Sequence, residues 1–155
     1  MGIRPTFYEG GYALFYENVV FDDGALAAFA PDVLYIHTSN RNLRFWPNPS
    51  DSKETSQQKQ DDEFAYFEAV WQAAQRFGCP VVQNNFEEPL WRNFGNLDAV
   101  DARGRVRYVR QLNERMAQYA EDHHNFYVHD LAYLAAVHGV DAWCDAQAWY
   151  AYKYT

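Results

Sequence analysis

Three short apolar runs, each turning polar at its end, constrain this chain most. They are "VLYIHTSN" (Val33–Asn40), "VVQNN" (Val81–Asn85) and "FYVHD" (Phe126–Asp130). Runs of β-branched and aromatic residues bounded by turn formers read as strands. Between them stand two long stretches with apolar residues three and four apart. In "DDEFAYFEAVWQAAQRFG", Phe64, Phe67, Val70, Trp71, Ala74 and Phe77 share one face, with Asp61 or Asp62 as the cap and Gly78 as the stop. In "RVRYVRQLNERMAQYAEDH", Val109, Leu112, Met116 and Tyr119 point inward in the same way. Strands that alternate with helices call for a parallel sheet, because each helix carries the chain back to start the next strand in the same direction. The expected fold is therefore α/β, a three-layer sandwich with a mostly parallel sheet, formed by residues 1–155 as one domain.

The remaining segments complete that reading. "PTFYE" (Pro5–Glu9) is a short candidate strand, broken by Gly10-Gly11. "YALFYENVV" reads as helix, and Asp22 or Asp23 can cap "GALAAF". "DVLYIHTS" suits a strand buried on both faces. Residues 40–60 are polar with two prolines and read as an excursion or lid. Phe86–Gly104 reads as a long loop, a length often kept for function. "LAYLAAVHG" is a helix ending at Gly139, and the tail "VDAWCDAQAWYAYKYT" reads as aromatic and irregular.

A chain of 155 residues is long enough to bury a sizeable core. Its net charge of −8 weighs against nucleic acid or an anionic membrane as partner. Arg103, Arg105, Arg107 and Arg110 then form a solvated helix face. No apolar run reaches membrane-spanning length. Cys79 and Cys144 lie far apart with no CxxC, the usage of a reduced, cytoplasmic protein. His123 and His124 are adjacent and cannot share a helix face, so they make no metal pair. No metal or cofactor is expected.

In open α/β sheets the ligand crevice lies outside the carboxyl ends of the strands. The polar ends here are Glu9, Thr38-Ser39-Asn40, Gln83-Asn84-Asn85 and His129-Asp130. Two readings of Asn84 and Asn85 stand side by side: they line a crevice, or they end the strand and bond to loop backbone. His129 reads as a plain strand end. Ser39 has no Gly-x-Ser-x-Gly frame and no assignable base, so it is not read as a nucleophile. Cys79 precedes its strand and lies at the wrong end of the sheet. Cys144 reads as an ordinary thiol in the tail.

Several blocks resemble the amino-terminal domain of FkbH-like proteins. They are "FYEGGYALFYENVVFDDGALAAFAPDVLYIHTSNRNLRFWPN", "VVQNNFEEPLWRNFGNLDA", "LNERMA" and "DAQAWYAYKY", and together they cover nearly the whole chain. The resemblance implies an SGNH-hydrolase-like domain with a flavodoxin-like sheet, beside a phosphatase domain of the haloacid-dehalogenase type. Asn40 matches the oxyanion-hole Asn of such hydrolases. The rest of their catalytic pattern is not met. The Gly-Asp-Ser block and its first strand are lacking. Asp141 and Asp145 are followed three residues on by Cys144 and Ala148 rather than His, and His138 precedes both. Neither "VFDDGAL" nor "DAVDARGR" supplies a phosphatase nucleophile motif.

What the resemblance implies is a non-catalytic binding or scaffold domain, accompanying glyceryl or acyl loading onto a carrier protein in polyketide or surface-polysaccharide biosynthesis. Ser39, Asn40, Arg41, Asn84 and Asn85 would form its ligand site, joined by Asn96, Asp145, Tyr150 and Lys153. Arg41 and Lys153 would take a phosphate or carboxylate of a small phosphorylated or acylated ligand. A carrier protein and a phosphatase domain are the partners expected. One alternative is an ester hydrolase whose Ser comes from a missing segment or partner. Another is a standalone interaction module using the aromatic tail. With the first strand lacking, residues 5–9 are expected to pair directly with residues 33–37, giving a four-stranded sheet.

Overall fold

The structure, a computed structural model, describes residues 2, 4–11, 13–21 and 24–152. A π-type turn at Glu17–Phe21 and the short helix α1 (Ala25–Phe29) lead into β1 (Leu34–Ile36). Helix α2 (Lys53–Ala74) leads to β2 (Val81–Asn84), and α3 (Arg105–Asp122) leads to β3 (Phe126–His129). Helices α4 (Leu131–His138), α5 (Val140–Trp143) and α6 (Ala146–Tyr152) follow. The sheet order is β1-β2-β3, all parallel. Helices lie on both sides of it, consistent with a three-layer α/β sandwich.

One register row is Leu34, Val81 and Phe126, and the next is Tyr35, Val82 and Tyr127. The first row faces the core. There Phe67, Val70 and Trp71 of α2 meet Val109, Leu112, Met116 and Tyr119 of α3. The Trp71 ring lies 4.7 Å from that of Phe126 and 4.8 Å from that of Tyr119. Each such buried side chain stabilises the fold by about 1.5–3 kcal/mol. The second row is different: Tyr35 and Tyr127 stay 49% and 50% exposed. β1 therefore alternates and is not buried on both faces. Both crossovers run the same way along the sheet, and α2 and α3 share the core on one face, as connections of one hand require; the other face is covered only in part.

Residues 5–9 form no strand and pair with nothing in the sheet, so the sheet has three strands rather than four. Phe7 is 75% exposed. The run between Pro5 and Gly10 meets α1 through Tyr8 and Phe29, 5.8 Å between ring centroids, and packs on no strand; strand propensity without sheet packing is weak. Among the described residues the outer edge of β1 is unpaired.

Helix α2 begins well before the Asp61 or Asp62 expected as its cap. Ser52 is the N-cap, its Oγ accepting from the Thr55 N–H at 3.1 Å, with Glu54 in the first turn. The early turns carry no apolar stripe, so hydrophobic spacing does not mark them. More than a third of the supposed lid is thus part of α2. Gly78 ends the segment in the left-handed region, at φ 67°. The tail is also more regular than its composition suggests, forming α5 and α6. The N-cap of α1 is Gly24, while Asp22 and Asp23 lie outside the described residues.

The long loop after β2 is pinned by one carboxylate. Asp98 is fully buried. Its Oδ2 accepts from the N–H groups of Asn93 at 2.7 Å and Phe94 at 3.2 Å, and its Oδ1 accepts from Val106 N–H at 2.7 Å. Gly104 packs against the same residue. A Cβ there would stand 2.0 Å from the Asp98 carbonyl oxygen, so only glycine fits.

Candidate functional site at the strand ends

The amides that end β2 continue the sheet with side chains. Asn84 Oδ1 accepts from Thr38 N–H at 2.9 Å, and Asn84 Nδ2 donates to the Thr38 carbonyl. One primary amide thereby pairs with the main chain as a neighbouring strand would. Gln83 Nε2 donates to Thr38 Oγ1 at 2.8 Å, and Gln83 Oε1 accepts from the Trp71 indole at 3.4 Å. Gln83, Asn84 and Thr38 are all buried. Asn85 turns the other way. It donates to Asp130 Oδ1 at 2.8 Å and accepts from Ala132 N–H at 2.8 Å, fixing the start of α4.

The chain leaving β1 makes a tight turn over Asn40–Asn42. Ser39 caps it: its Oγ accepts from Arg41 N–H at 3.3 Å, and its N–H donates to Asn42 Oδ1 at 2.9 Å. The Asn40 N–H donates to both Glu87 carboxylate oxygens, at 3.3 and 3.2 Å, and Asn40 Nδ2 donates to the Glu87 carbonyl at 3.4 Å. Arg41 reaches out and lies over the Trp149 ring, 4.3 Å from its centroid.

Glu87 is the group that composition and spacing did not single out. It is 1% exposed. Burial pushes its pKa up to about 7, against the pull of its own N–H, of Asn40 N–H and of the Arg41 charge. Cys144 approaches the same place. Burial first, then the Glu87 charge, holds its thiol above the ordinary value, while Arg41 opposes them. Arg41, Glu87, Cys144 and Trp149 thus converge from the turn after β1, the loop after β2 and the α5–α6 segment. A carboxylate beside a strand's polar end, between buried Phe86 and Pro89, was the available signal for Glu87. Nothing local marks Trp149, which reaches Arg41 only through the path of the tail.

The other sequence candidates fall elsewhere. Asn96 is exposed on the Gly95–Ala99 turn beside α3. Asp145 Oδ1 accepts from the N–H groups of Gln147 and Ala148, both at 2.9 Å, at the start of α6. Tyr150 is 80% exposed, and Lys153 lies outside the described residues. His129 bonds through Nδ1 to the Tyr35 hydroxyl at 2.9 Å, on the partly covered sheet face. His123 stacks on Tyr119. A second buried carboxylate, Glu63, holds the segment after the turn: its Oε2 accepts from Arg44 N–H at 2.7 Å and Phe45 N–H at 2.8 Å. Burial raises its pKa. Among the described residues no group of three or more His, Cys, Asp or Glu is placed to hold a metal ion, and no helix is long and apolar enough to cross a membrane.

The family model for the FkbH N-terminal domain matches residues 3–155. Among solved structures the chain is similar to the N-terminal part of protein BF1531 from Bacteroides fragilis, which contains a phosphatase domain and was crystallised with Mg. The TM-score is 0.77 at 16% identity, over 93% of this chain, which spans 37% of that one. At that identity the likeness establishes the fold. No curated protein matches the chain.

Proposed function

The chain belongs to the FkbH N-terminal domain family, and from that membership we propose that it is a non-catalytic binding or scaffold domain working beside a phosphatase domain. In this reading residues 1–155 act as one domain. The structural neighbour from Bacteroides fragilis, which contains a phosphatase domain, supports that choice of partner. The finer context is glyceryl or acyl loading onto a carrier protein in polyketide or surface-polysaccharide biosynthesis, and it rests on the family resemblance. The ligand is a small phosphorylated or acylated molecule met at the strand ends, with Arg41 as its cation.

The observation that carries the non-catalytic half is the use made of Ser39. Its hydroxyl accepts from Arg41 N–H and caps the turn, and the residue is 6% exposed. A serine nucleophile needs an exposed hydroxyl and a base within hydrogen-bond reach. Incubation with a fluorophosphonate probe followed by mass spectrometry is expected to leave the protein unlabelled. Stoichiometric labelling of Ser39, or ester turnover that disappears in Ser39→Ala, would overturn the reading.

A further inference from the structure

The cluster at the strand ends contains a cation that the fold's own hydrogen bonds leave uncommitted. Arg41 is exposed, and among the described residues no carboxylate lies within ion-pair distance of it. A guanidinium stacked on an indole keeps its edge N–H donors for a ligand, and those donors match the oxygens of a carboxylate or phosphate. The sealed carboxylate of Glu87 accepts from the N–H of Asn40, the residue before Arg41, and stands near enough for the Arg41 charge to act on it. Arg41 comes from the turn after β1, and Cys144 from between α5 and α6, with Asp141 near the thiol. Glu88, next in the chain, is turned to Arg92 and Arg110.

We propose that Arg41, on its Trp149 platform, binds an oxyanion, a carboxylate or phosphate group, and that Glu87 controls this site by holding or releasing a proton. The inference rests on the reading of the strand ends as a binding crevice. With Glu87 neutral, the Arg41 charge is uncompensated and available. With Glu87 ionised, a fixed negative charge stands beside the incoming anion and competes for the same cation. Anion affinity is therefore full at low pH and falls as the pH rises through about 7. By linkage, a bound anion raises the proton affinity of Glu87 by the same factor. Burial and the Glu87 charge hold the Cys144 thiol above its ordinary pKa, against the pull of Arg41.

Sulfate tests this well, because its charge does not change between about pH 5.5 and about pH 8.5, and it stands for a phosphate dianion. Acetate is the carboxylate arm. Each is titrated at constant ionic strength against chloride, following the Arg41 Nε–H resonance by NMR. Binding by sulfate or acetate is expected at about pH 5.5 and should weaken at least about fivefold at about pH 8.5, the lower end of ordinary coupling. The anion bound more tightly identifies the ligand group. Glu87→Gln should bind equally well at both values. No Arg41 response to either anion at about pH 5.5 overturns the site. An unchanged pH slope in Glu87→Gln overturns the part given to Glu87. The first test uses the unaltered protein, so it does not depend on a variant folding. Labelling of Ser39 would sink the non-catalytic reading without touching this one, whereas a silent Arg41 with unlabelled Ser39 would sink the oxyanion site and leave the non-catalytic reading standing.

Discussion

Asp98→Ala is expected to lower stability by about 3–5 kcal/mol, since each of the three N–H groups it accepts from costs about 1–3 kcal/mol when left without a partner. These donors belong to Asn93, Phe94 and Val106, and the carboxylate between them is fully buried. Bonds to an ionised acceptor are the stronger kind, and Val106 stands in the first turn of α3, where negative charge is favoured. The lower end of the range applies if the Asn93–Phe94 segment opens and finds water. Asp98→Asn keeps one acceptor oxygen but turns an amide N–H₂ toward donors, so it should fall between parent and alanine. Urea unfolding curves measure both, and amide exchange over residues 93–106 should quicken in step. A loss below about 1 kcal/mol would mean that these donors are satisfied without the carboxylate.

Glu87→Gln should produce the second large effect, and its size depends on pH. The folded-state pKa of Glu87 is about 7, raised from 4.5. A carboxyl whose pKa is raised by folding contributes stability that is fully present below its unfolded value and is lost as pH rises through the folded one. The difference corresponds to about 3.5 kcal/mol at most, at about 1.4 kcal/mol per unit. Glutamine is a neutral isostere of the protonated side chain and keeps an oxygen for the Asn40 N–H. Near pH 4 parent and variant should therefore be similar in stability. By about pH 8 the variant should be the more stable, by up to about 3 kcal/mol. Glu63 also has a raised pKa, but it is present in both proteins and cancels in the difference. Thermal or urea unfolding at several pH values gives the comparison. Parallel pH curves for the two proteins would show that folding does not shift the pKa of Glu87.

The candidate site was legible in the sequence only in its placement. Strand ends at Thr38–Asn40 and Gln83–Asn85 are marked locally, because an apolar run stops at a polar one. What those polar groups do is not marked. Asn84 spends its amide on the main chain of Thr38, and Ser39 spends its hydroxyl on a turn, bonds that exist only once β1 and β2 lie side by side. Glu87 resembled any loop carboxylate until the turn after β1 and the tail closed over it.

By itself the sequence determined the alternation of three strands with two long crossover helices, the parallel sheet and the inward faces of those helices, because hydrophobic spacing and helix stops are local signals. Gly78 ending its helical segment and Leu112, Met116 and Tyr119 lining α3 follow from such signals alone. The tertiary structure decided the rest. It left residues 5–9 out of the sheet and left Tyr35 and Tyr127 half exposed, because propensity yields to packing where no neighbour covers the strand. It extended α2 back to Lys53, where a polar helix needs only a cap at Ser52 and no apolar stripe. It also set the proton affinity of Glu87 and the stacking of Arg41 on Trp149, since burial and through-space charge are properties of an assembled site and of no segment within it.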